Sequence, residues 1–318
     1  MDDRRPTVID RKSLERAVSS PSQTLVFPFG TLSGAGFGSC YCGFLHYLML
    51  CLRQGIGFRF NKISKPQGFV EKLGWRDYFL PFCEETSGPL VEFLNRHHFP
   101  AEKKLPILRP AARAYLKRFT RPRANYFAFD DSLPIPNCGP SFFGAEEDFL
   151  EDRKALMALL WTYNERTHEE VSAFKQKFES TTKSTYLSMC IRRGDKSTEY
   201  PYVKLEEYAM ALDRIGAKSG QIFVAADDYE PIAKLHQILP EFEFLTLTVP
   251  AEKGYVHSQF KTLSASDRRA KTTKFFAQYE MLRDSSRCIT SKTTNVSWMV
   301  NAARGGNGMV WVDGDTAG

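Results

Sequence analysis

The sequence predicts an α/β protein, because short apolar runs of strand length alternate with longer segments of helical periodicity along most of the chain. In the C-terminal half, predicted strands at 185–191, 221–225 and 242–247 are separated by predicted helices. Such a strand–helix repeat predicts a parallel sheet with crossover helices. Near the N-terminus, a glycine-rich segment joins a predicted strand to a predicted helix, which is typical of nucleotide-binding domains.

The predicted N-terminal domain covers residues 1–183. It begins with a strand at 24–29, a helix at 40–54 and a second strand at 58–60. Residues 62–140 are rich in proline, which ends helices and strands, so this region predicts long loops and short helices. Two further helices are predicted at 148–163 and 168–178 before the domain ends.

The predicted C-terminal domain covers residues 184–318 and carries the strand–helix repeat. Its first three strands are those named above, and a fourth is predicted at Arg287–Thr290. The predicted helices of this domain are 205–215, 231–239, 271–284 and 296–303. Together with the N-terminal domain, this gives two α/β units for a chain of 318 residues, of which 42% are hydrophobic.

Charge and cysteine content narrow the class of protein. The net charge of +6 is spread along the chain without a dense basic tract, so a nucleic-acid partner is not predicted, whereas one diphosphate site is compatible with it. Seven cysteines cannot all pair, which argues against a complete disulfide framework. No signal peptide or membrane span is predicted, so we expect a cytoplasmic protein with reduced thiols, or a Golgi-type protein whose anchor has been removed.

The first candidate motif is the glycine-rich turn Gly34-Ala35-Gly36-Phe37-Gly38. Glycines let the backbone approach a phosphate, and the following helix offers free N–H groups and a positive dipole end. A dinucleotide fingerprint requires a further glycine where Ser39 stands, so NAD binding is not favoured. The alternative is a tight turn that needs glycine for its backbone conformation.

The second motif, Cys190 to Glu199, directly follows a predicted strand, where α/β sheets place their ligands. Arg192, Arg193 and Lys196 supply cationic donors that suit a diphosphate. Glu199 is close enough in sequence to these cations to share their pocket. A carboxylate next to an acceptor hydroxyl can act as a general base. The alternative is a surface turn with solvated charges.

Two further turns follow strands of the same predicted sheet. The pair Asp227-Asp228 is suited to a divalent cation bound with a nucleotide, or to capping the next helix. Thr293 and Thr294 belong to a hydroxyl-rich turn that offers donors to a phosphate, or caps the helix that follows.

Taken in order, these segments resemble the α1,6-fucosyltransferases of the eukaryotic core type and the rhizobial Nod-factor type. The resemblance runs over residues 30–300 and rests on six segments in the same order. These are Gly34–Gly38, Gly74–Pro81 with Glu85-Thr86, Arg192–Glu199, Glu206–Tyr208, Ala225–Asp228 and Thr293–Val296.

The resemblance implies a GT-B-like architecture of two Rossmann-type units with the donor site in the cleft between them. It implies an inverting glycosyltransferase that moves fucose from GDP-fucose to a hydroxyl of a glycan acceptor without a required metal or other cofactor. Arg192 would hold the diphosphate and Glu199 would be the base. The other residues implied to contribute are Gly34, Gly36, Phe37, Gly38, Cys190, Arg193, Asp195, Lys196, Tyr208, Asp227, Asp228, Gln278, Thr293 and Thr294.

Two positions depart from the family pattern and leave alternatives open. Cys190 stands where the family usually has His, and Gln278 aligns with its acidic residue; both family positions help to recognise guanine. The segment between Lys196 and Glu199 is also one residue shorter. The alternatives are the same fold with a different nucleotide-sugar donor, or a non-catalytic protein that binds nucleotides or glycans.

Overall fold

The structure is a computed structural model, and it describes residues 10–12, 14–15, 24–27, 29, 36–61, 68–86, 124–127, 150–182 and 185–313. The chain divides into two compact units, Met1–Asn164 and Glu165–Gly318. The division lies before the predicted 183/184 boundary, because a helix that follows Asn164 packs on the second unit. The roles assigned to the two predicted domains stay predictions.

The first unit contains a parallel four-stranded sheet in the order β3-β2-β1-β4. Of the strand–glycine loop–helix–strand start predicted from the sequence, the two strands and the helix are confirmed, with β1 and β2 as parallel neighbours, while residues 30–35 lie outside the described residues. The elements are β1 (Thr24–Phe27), α1 (Phe37–Gln54), β2 (Gly57–Asn61), a 3₁₀ helix (Gly74–Asp77), β3 (Glu85–Thr86), β4 (Ala124–Phe127) and α2 (Leu150–Leu160).

An aromatic core packs against this sheet. Phe44 on α1 lies 5.1 Å from the ring of Phe60 on β2 and 5.2 Å from Trp75. Trp75 in turn stacks on Phe79 with ring centroids 4.4 Å apart. Because α1 is buried along most of its length, its cysteines and His46 are core residues as well.

The second unit contains a parallel five-stranded sheet flanked by helices. Its elements are α3 (Glu165–Glu179), β5 (Leu187–Ile191), a 3₁₀ helix (Gly194–Thr198), α4 (Leu205–Arg214), β6 (Gly220–Ala226), α5 (Glu230–Ile238), β7 (Phe242–Leu245), α6 (His257–Thr262), α7 (Ala265–Asp284), β8 (Arg287–Thr290), α8 (Asn295–Arg304) and β9 (Met309–Trp311). The predicted strand–helix repeat is therefore confirmed, and β9 and α6 are additions that the sequence had not predicted.

The helix α3 belongs to the second unit through an ion pair with the buried Arg269. Arg269 on α7 is 4% exposed and donates from Nε to both oxygens of Glu170, at 2.8 and 2.9 Å. Its Nη2 donates to the hydroxyl of the buried Thr167 at 3.0 Å. These bonds fix α3 on α7, which places the division between the units before α3.

The strand order of the second sheet is β7-β6-β5-β8-β9, and all its strands are parallel. From β5 the chain first adds β6 and β7 on one side and then β8 and β9 on the other. The order therefore reverses between β5 and β8. In doubly wound sheets, the crevice outside the carboxyl ends of such a strand pair is the usual ligand site.

Two properties of the described residues bear on the sequence analysis. Their six cysteines are free. Within the same residues, no helix combines the length and apolarity that crossing a bilayer requires.

Candidate functional site

A small cleft that opens to solvent lies at the carboxyl ends of β5 and β8, where the strand order of the second sheet reverses. One wall follows β5 and the other follows β8. The lining residues are Cys190, Arg192, Arg193, Lys196, Pro201, Tyr202, Val203, Tyr208, Ser291, Thr293 and Thr294. The structure thus brings together the Cys190–Glu199 motif and the hydroxyl-rich turn at Thr293-Thr294, which are far apart in the sequence.

Arg192 is held on two sides by carboxylates. Its Nη1 donates to Asp227 Oδ2, and its Nη2 donates to Asp195 Oδ1 at 3.2 Å. The guanidinium carbon also lies 4.8 Å from the centre of the Tyr255 ring, a cation–π distance. The side chain is 22% exposed, so Arg192 is fixed in direction and still reaches the solvent.

Asp227 connects three segments of the chain. Besides Arg192, it accepts the backbone N–H of Arg193 at 2.7 Å and that of Tyr255 at 2.8 Å. Asp228 points elsewhere: its Oδ1 accepts the N–H of Glu230 at 3.0 Å, at the start of α5. Asp227 therefore positions backbone and Arg192, whereas Asp228 bonds the start of α5, and the two carboxylates do not act as a pair. Among the described residues, no group of three His, Cys, Asp or Glu is arranged to hold a metal ion.

Two glycines allow the loop after β5 to touch the loop after β7. Gly194 has φ +62° and Gly254 has φ +93°, a backbone region that favours glycine. A Cβ on Gly194 would lie 2.1 Å from the Tyr255 carbonyl oxygen, and one on Gly254 would lie 2.7 Å from Gly194 Cα. This contact places Tyr255 beneath Arg192. Asp195 also accepts the backbone N–H of His257, the first residue of α6, at 2.8 Å.

The remaining cations of the cleft also have partners within the protein. Arg193 donates to the carbonyl oxygens of Arg192 and Val203, at 3.2 and 3.1 Å. Lys196 Nζ lies 2.5 Å from Glu199 Oε2, and its side chain is 13% exposed whereas that of Glu199 is 57% exposed. The segment after β5 thus has three cations near the three carboxylates Asp195, Asp227 and Glu199, and their formal charges cancel.

The wall after β8 is a turn of hydroxyl groups. The Thr294 side chain caps α8 by accepting the N–H of Val296 at 3.3 Å. The hydroxyls of Ser291 and Thr293 lie 2.7 Å apart, and Ser291 also donates to Asp313 Oδ2 at 2.7 Å. The capping role predicted as an alternative for this turn is thus present, and the same turn lines the cleft.

Two buried residues form the floor between these walls. Cys190 is 4% exposed, and burial raises the pKa of its thiol to about 12, so the group is neutral. Tyr208 is 1% exposed and donates to the Cys190 carbonyl oxygen at 3.1 Å, while burial raises the pKa of its hydroxyl. Both groups therefore offer only uncharged contacts to a ligand.

Other residues singled out in the sequence lie outside this cleft. Gln278 is on α7, with its Nε2 3.4 Å from the hydroxyl of the buried Thr248. In the first unit, Gly36 is the N-cap of α1 and Gly38 lies in the first turn, while Phe37 is 7% exposed and lies in the aromatic core. Gly34 lies outside the described residues.

The cleft also contains residues that the motif analysis missed. Pro201, Tyr202 and Val203 form part of the wall after β5, and Tyr255 supports Arg192. The Tyr-Pro-Tyr sequence at 200–202, just after a charged cluster, was the available signal for the first group. Tyr255 had no comparable signal, because its place depends on the contact between two loops.

The comparisons with known proteins bear on the fold. No protein-family model and no curated protein sequence matches the chain. A solved NodZ α1,6-fucosyltransferase soaked with GDP-fucose is similar with a TM-score of 0.50 and 12% identity, over 89% of this chain and 93% of that chain. A fucosyltransferase NodZ from Bradyrhizobium has a TM-score of 0.49 and 14% identity, over 90% and 93%. A POFUT1 structure has a TM-score of 0.49 and 12% identity, over 92% and 98%.

The first of these similarities shows the fold. The architecture of two α/β units with parallel sheets, predicted from the sequence as GT-B-like, is confirmed. The resemblance to the α1,6-fucosyltransferases that the motifs indicated is confirmed as a likeness of fold.

Proposed function

We propose that this protein is an inverting glycosyltransferase that transfers fucose from GDP-fucose to a hydroxyl group of a glycan acceptor. The observation that carries the proposal is the cleft at the strand-order reversal of the second sheet, with Arg192 on one wall and the Thr293-Thr294 hydroxyls on the other. The fold shared with a fucosyltransferase soaked with GDP-fucose supports the choice of donor.

In this proposal Arg192 binds the diphosphate of the donor. A guanidinium group carries five N–H donors, and the bonds from Arg192 to Asp227 and Asp195 use two of them. The other three are available to phosphate oxygens. Because the two carboxylates and the Tyr255 ring fix the guanidinium plane, little side-chain entropy is lost when it binds.

The same groups would stabilise the leaving group. When the bond between fucose and the diphosphate breaks, negative charge grows on the phosphate oxygens, and positioned donors in a partly dehydrated site favour that state. Arg192 and the hydroxyl of Thr294 are such donors, whereas the Thr293 hydroxyl is bonded to Ser291. We therefore propose that the reaction proceeds without a required metal ion.

Glu199 is the proposed base. It is more than half exposed, so an acceptor hydroxyl can approach it from the solvent. Lys196 lies on its other side at 2.5 Å and orients the carboxylate. Glu199 would take the proton of the acceptor hydroxyl while the oxygen attacks the sugar carbon from the side opposite the diphosphate, which inverts the configuration.

A different nucleotide-sugar donor is the second candidate, and two observations favour it. Cys190 is a buried neutral thiol, and Gln278 lies outside the cleft against Thr248. Neither supplies the charged contacts that would favour guanine over other bases. The cleft itself, which would bind any diphosphate, is unaffected by this difference.

Binding of nucleotides separates these candidates. We would measure the melting temperature with GDP, UDP, CDP and ADP; a ligand at about 100 times its Kd adds about 2.7 kcal/mol to the unfolding free energy. A shift with GDP alone supports GDP-fucose. A shift with another nucleotide would show that the donor carries that nucleotide instead. No shift with any nucleotide would support a glycan-binding protein that has no donor.

The rate of fucose transfer then tests the role of Arg192. Arg192→Ala is expected to lower the rate of fucose transfer by about 10²–10³-fold, the cost of removing one donor to a developing charge. The matched control is Arg166→Ala, because the Arg166 side chain is 65% exposed on α3. Unchanged transfer in a folded Arg192→Ala protein would exclude the phosphate-binding role, and loss of transfer on chelation would exclude metal independence.

A further inference from the structure

We propose that Tyr200 and Tyr202 form a platform on which a sugar ring of the acceptor glycan stacks next to Glu199. This inference rests on the proposed function, because it assigns the acceptor side of the same cleft. The platform is the segment Tyr200-Pro201-Tyr202 between the 3₁₀ helix after β5 and the start of α4. No motif of the sequence analysis covers it.

Both tyrosines are unusually exposed for aromatic residues. Tyr200 is 45% and Tyr202 is 43% exposed, and Pro201 between them is exposed as well. Among the described residues, no other aromatic side chain is among the exposed large hydrophobic ones. Two exposed rings flanking an exposed proline leave apolar surface open to solvent, and exposed apolar surface of this kind commonly marks binding sites.

The rings are also held in place. The Tyr202 hydroxyl donates to the Gly194 carbonyl oxygen at 2.6 Å, and the Arg193 guanidinium lies 4.9 Å from the ring centre. Lys196 Nζ lies 5.2 Å from the centre of the Tyr200 ring. Each ring therefore has a cation from the cleft near it while about two fifths or more of its surface remains open to solvent. Such rings lose little conformational entropy when a ligand stacks on them.

The position of the platform indicates which substrate it contacts. A general base must lie within hydrogen-bond reach of the hydroxyl it deprotonates, so the acceptor must contact Glu199. Tyr200 is the next residue in the chain, and both residues are exposed. The proposed phosphate ligands Thr293 and Thr294 are instead partly or fully buried, on the opposite wall of the cleft.

The chemistry of the platform fits a saccharide. A pyranose ring has C–H groups on its faces and hydroxyls around its edge. Two tyrosine rings offer surface for the faces, while Glu199 accepts and Lys196 donates hydrogen bonds at the edge. A nucleobase could also stack on these rings. It would then lie next to the proposed catalytic base Glu199, which leaves no place for the acceptor.

Kinetics with separated substrates test the assignment. Tyr200→Ala and Tyr202→Ala are each expected to raise the KM for the acceptor about tenfold. Tyr200 does not line the cleft, so Tyr200→Ala should leave the KM for GDP-fucose and the affinity for GDP unchanged. Tyr200→Phe keeps the ring and should behave as the unaltered protein. Met210→Ala is the surface control, because Met210 is 53% exposed on α4. Equal losses for donor and acceptor would show that the rings contact the donor and would overturn the proposal.

Direct binding keeps this test independent of catalysis. Saturation-transfer NMR with maltotetraose, cellotetraose and N-acetylchitotetraose should show binding of at least one to the unaltered protein and none to the Tyr200→Ala/Tyr202→Ala double variant. Failure of all three to bind, or binding retained by the double variant, would overturn the platform. Failure of the proposed function would give a different result: no nucleotide would shift the melting temperature, whether or not the glycans bind.

Discussion

The two units use the end of a parallel strand in opposite ways. Beyond β1 of the first unit, Phe29 and Phe37 are buried and their rings meet edge to face at 6.0 Å. Beyond β5 of the second unit, the corresponding segment is the ionic network of Arg192 and its carboxylates. Both segments connect a strand to the next helical element of a parallel sheet. Among the described residues at these two strand ends, those of the first unit are packed aromatic rings and those of the second unit are paired charges.

The difference predicts different sensitivities. In the first unit the stability comes from many contacts between rings, each weak and without strict direction. In the second unit, the loops after β5 and β7 are instead held by a few hydrogen bonds and one close backbone contact, which require exact geometry. Substitutions should therefore act through lost volume in the aromatic core of the first unit and through lost geometry in these loops.

The largest expected effect is loss of an aromatic core residue in the first unit. Trp75 is 2% exposed and donates from Nε1 to the Leu80 carbonyl oxygen at 2.7 Å. Trp75→Ala should lower the unfolding free energy by about 3–5 kcal/mol in urea titration. Leu73→Ala, at a position 38% exposed, is the control and should change it little. A loss below about 1 kcal/mol for Trp75→Ala would contradict the packing description.

The next effect isolates the loop contact of the second unit. Gly194→Ala and Gly216→Ala both place a side chain at positive φ, +62° and +72°, but a Cβ meets nothing within 4 Å at Gly216. Gly216→Ala should therefore cost about 1 kcal/mol from the backbone alone. Gly194→Ala should cost about 2–3 kcal/mol and also weaken GDP binding, because Tyr255 and Arg192 shift. Equal costs in calorimetry, with equal GDP affinity, would show that the contact has no role.

A smaller effect concerns pH and belongs to the first unit. Burial, aided by Arg153, lowers the pKa of His46 from 6.5 to about 4. Between these values the unfolded chain binds a proton that the folded chain does not, so the unfolding free energy falls as pH falls from 6.5 towards 4. The slope from this group is at most about 1.4 kcal/mol per pH unit. His46→Gln should reduce the measured slope, and an unchanged slope would assign it to other groups.

The smallest effect concerns the cap of α8 in the second unit. Thr294→Ala removes the acceptor of the Val296 N–H and should cost about 1 kcal/mol of unfolding free energy. Thr294→Ser keeps the hydroxyl and should restore most of that stability. If both variants lose the same amount, the methyl group of Thr294 matters rather than its hydroxyl.

Much of the second unit could be predicted because its strands are short apolar runs with clear ends. The strand β8 was predicted at Arg287–Thr290, where it lies, and the parallel pairing follows from the strand–helix repeat. The start of α7 was predicted at Lys271 but lies at Ala265, where Ser264 accepts the N–H of Asp267 at 3.1 Å. That Ser-x-x-Asp cap was visible in the sequence, whereas the three-residue β9 after a glycine-rich turn had no comparable pattern.

The candidate site was predicted as a set of residues, and its connections were not. The motif that contains Arg192 and the turn that contains Thr294 meet in one cleft, as strand ends of a parallel sheet should. The bond between Arg192 and Asp227 joins residues 35 apart in sequence, and the Gly194–Tyr255 contact joins two loops. Such contacts depend on tertiary geometry, which residue patterns do not contain. The donor role of the glycine-rich turn stays a prediction.

The three bonds accepted by Asp227 have a consequence for how this protein can change over evolution. A substitution there disturbs the guanidinium of Arg192 and two separate loops at the same time, so it cannot adjust one of them alone. Gradual divergence of the cleft must then begin on exposed side chains of its lining, such as Pro201. The protein is in this sense constrained around Arg192 and free to vary at Pro201.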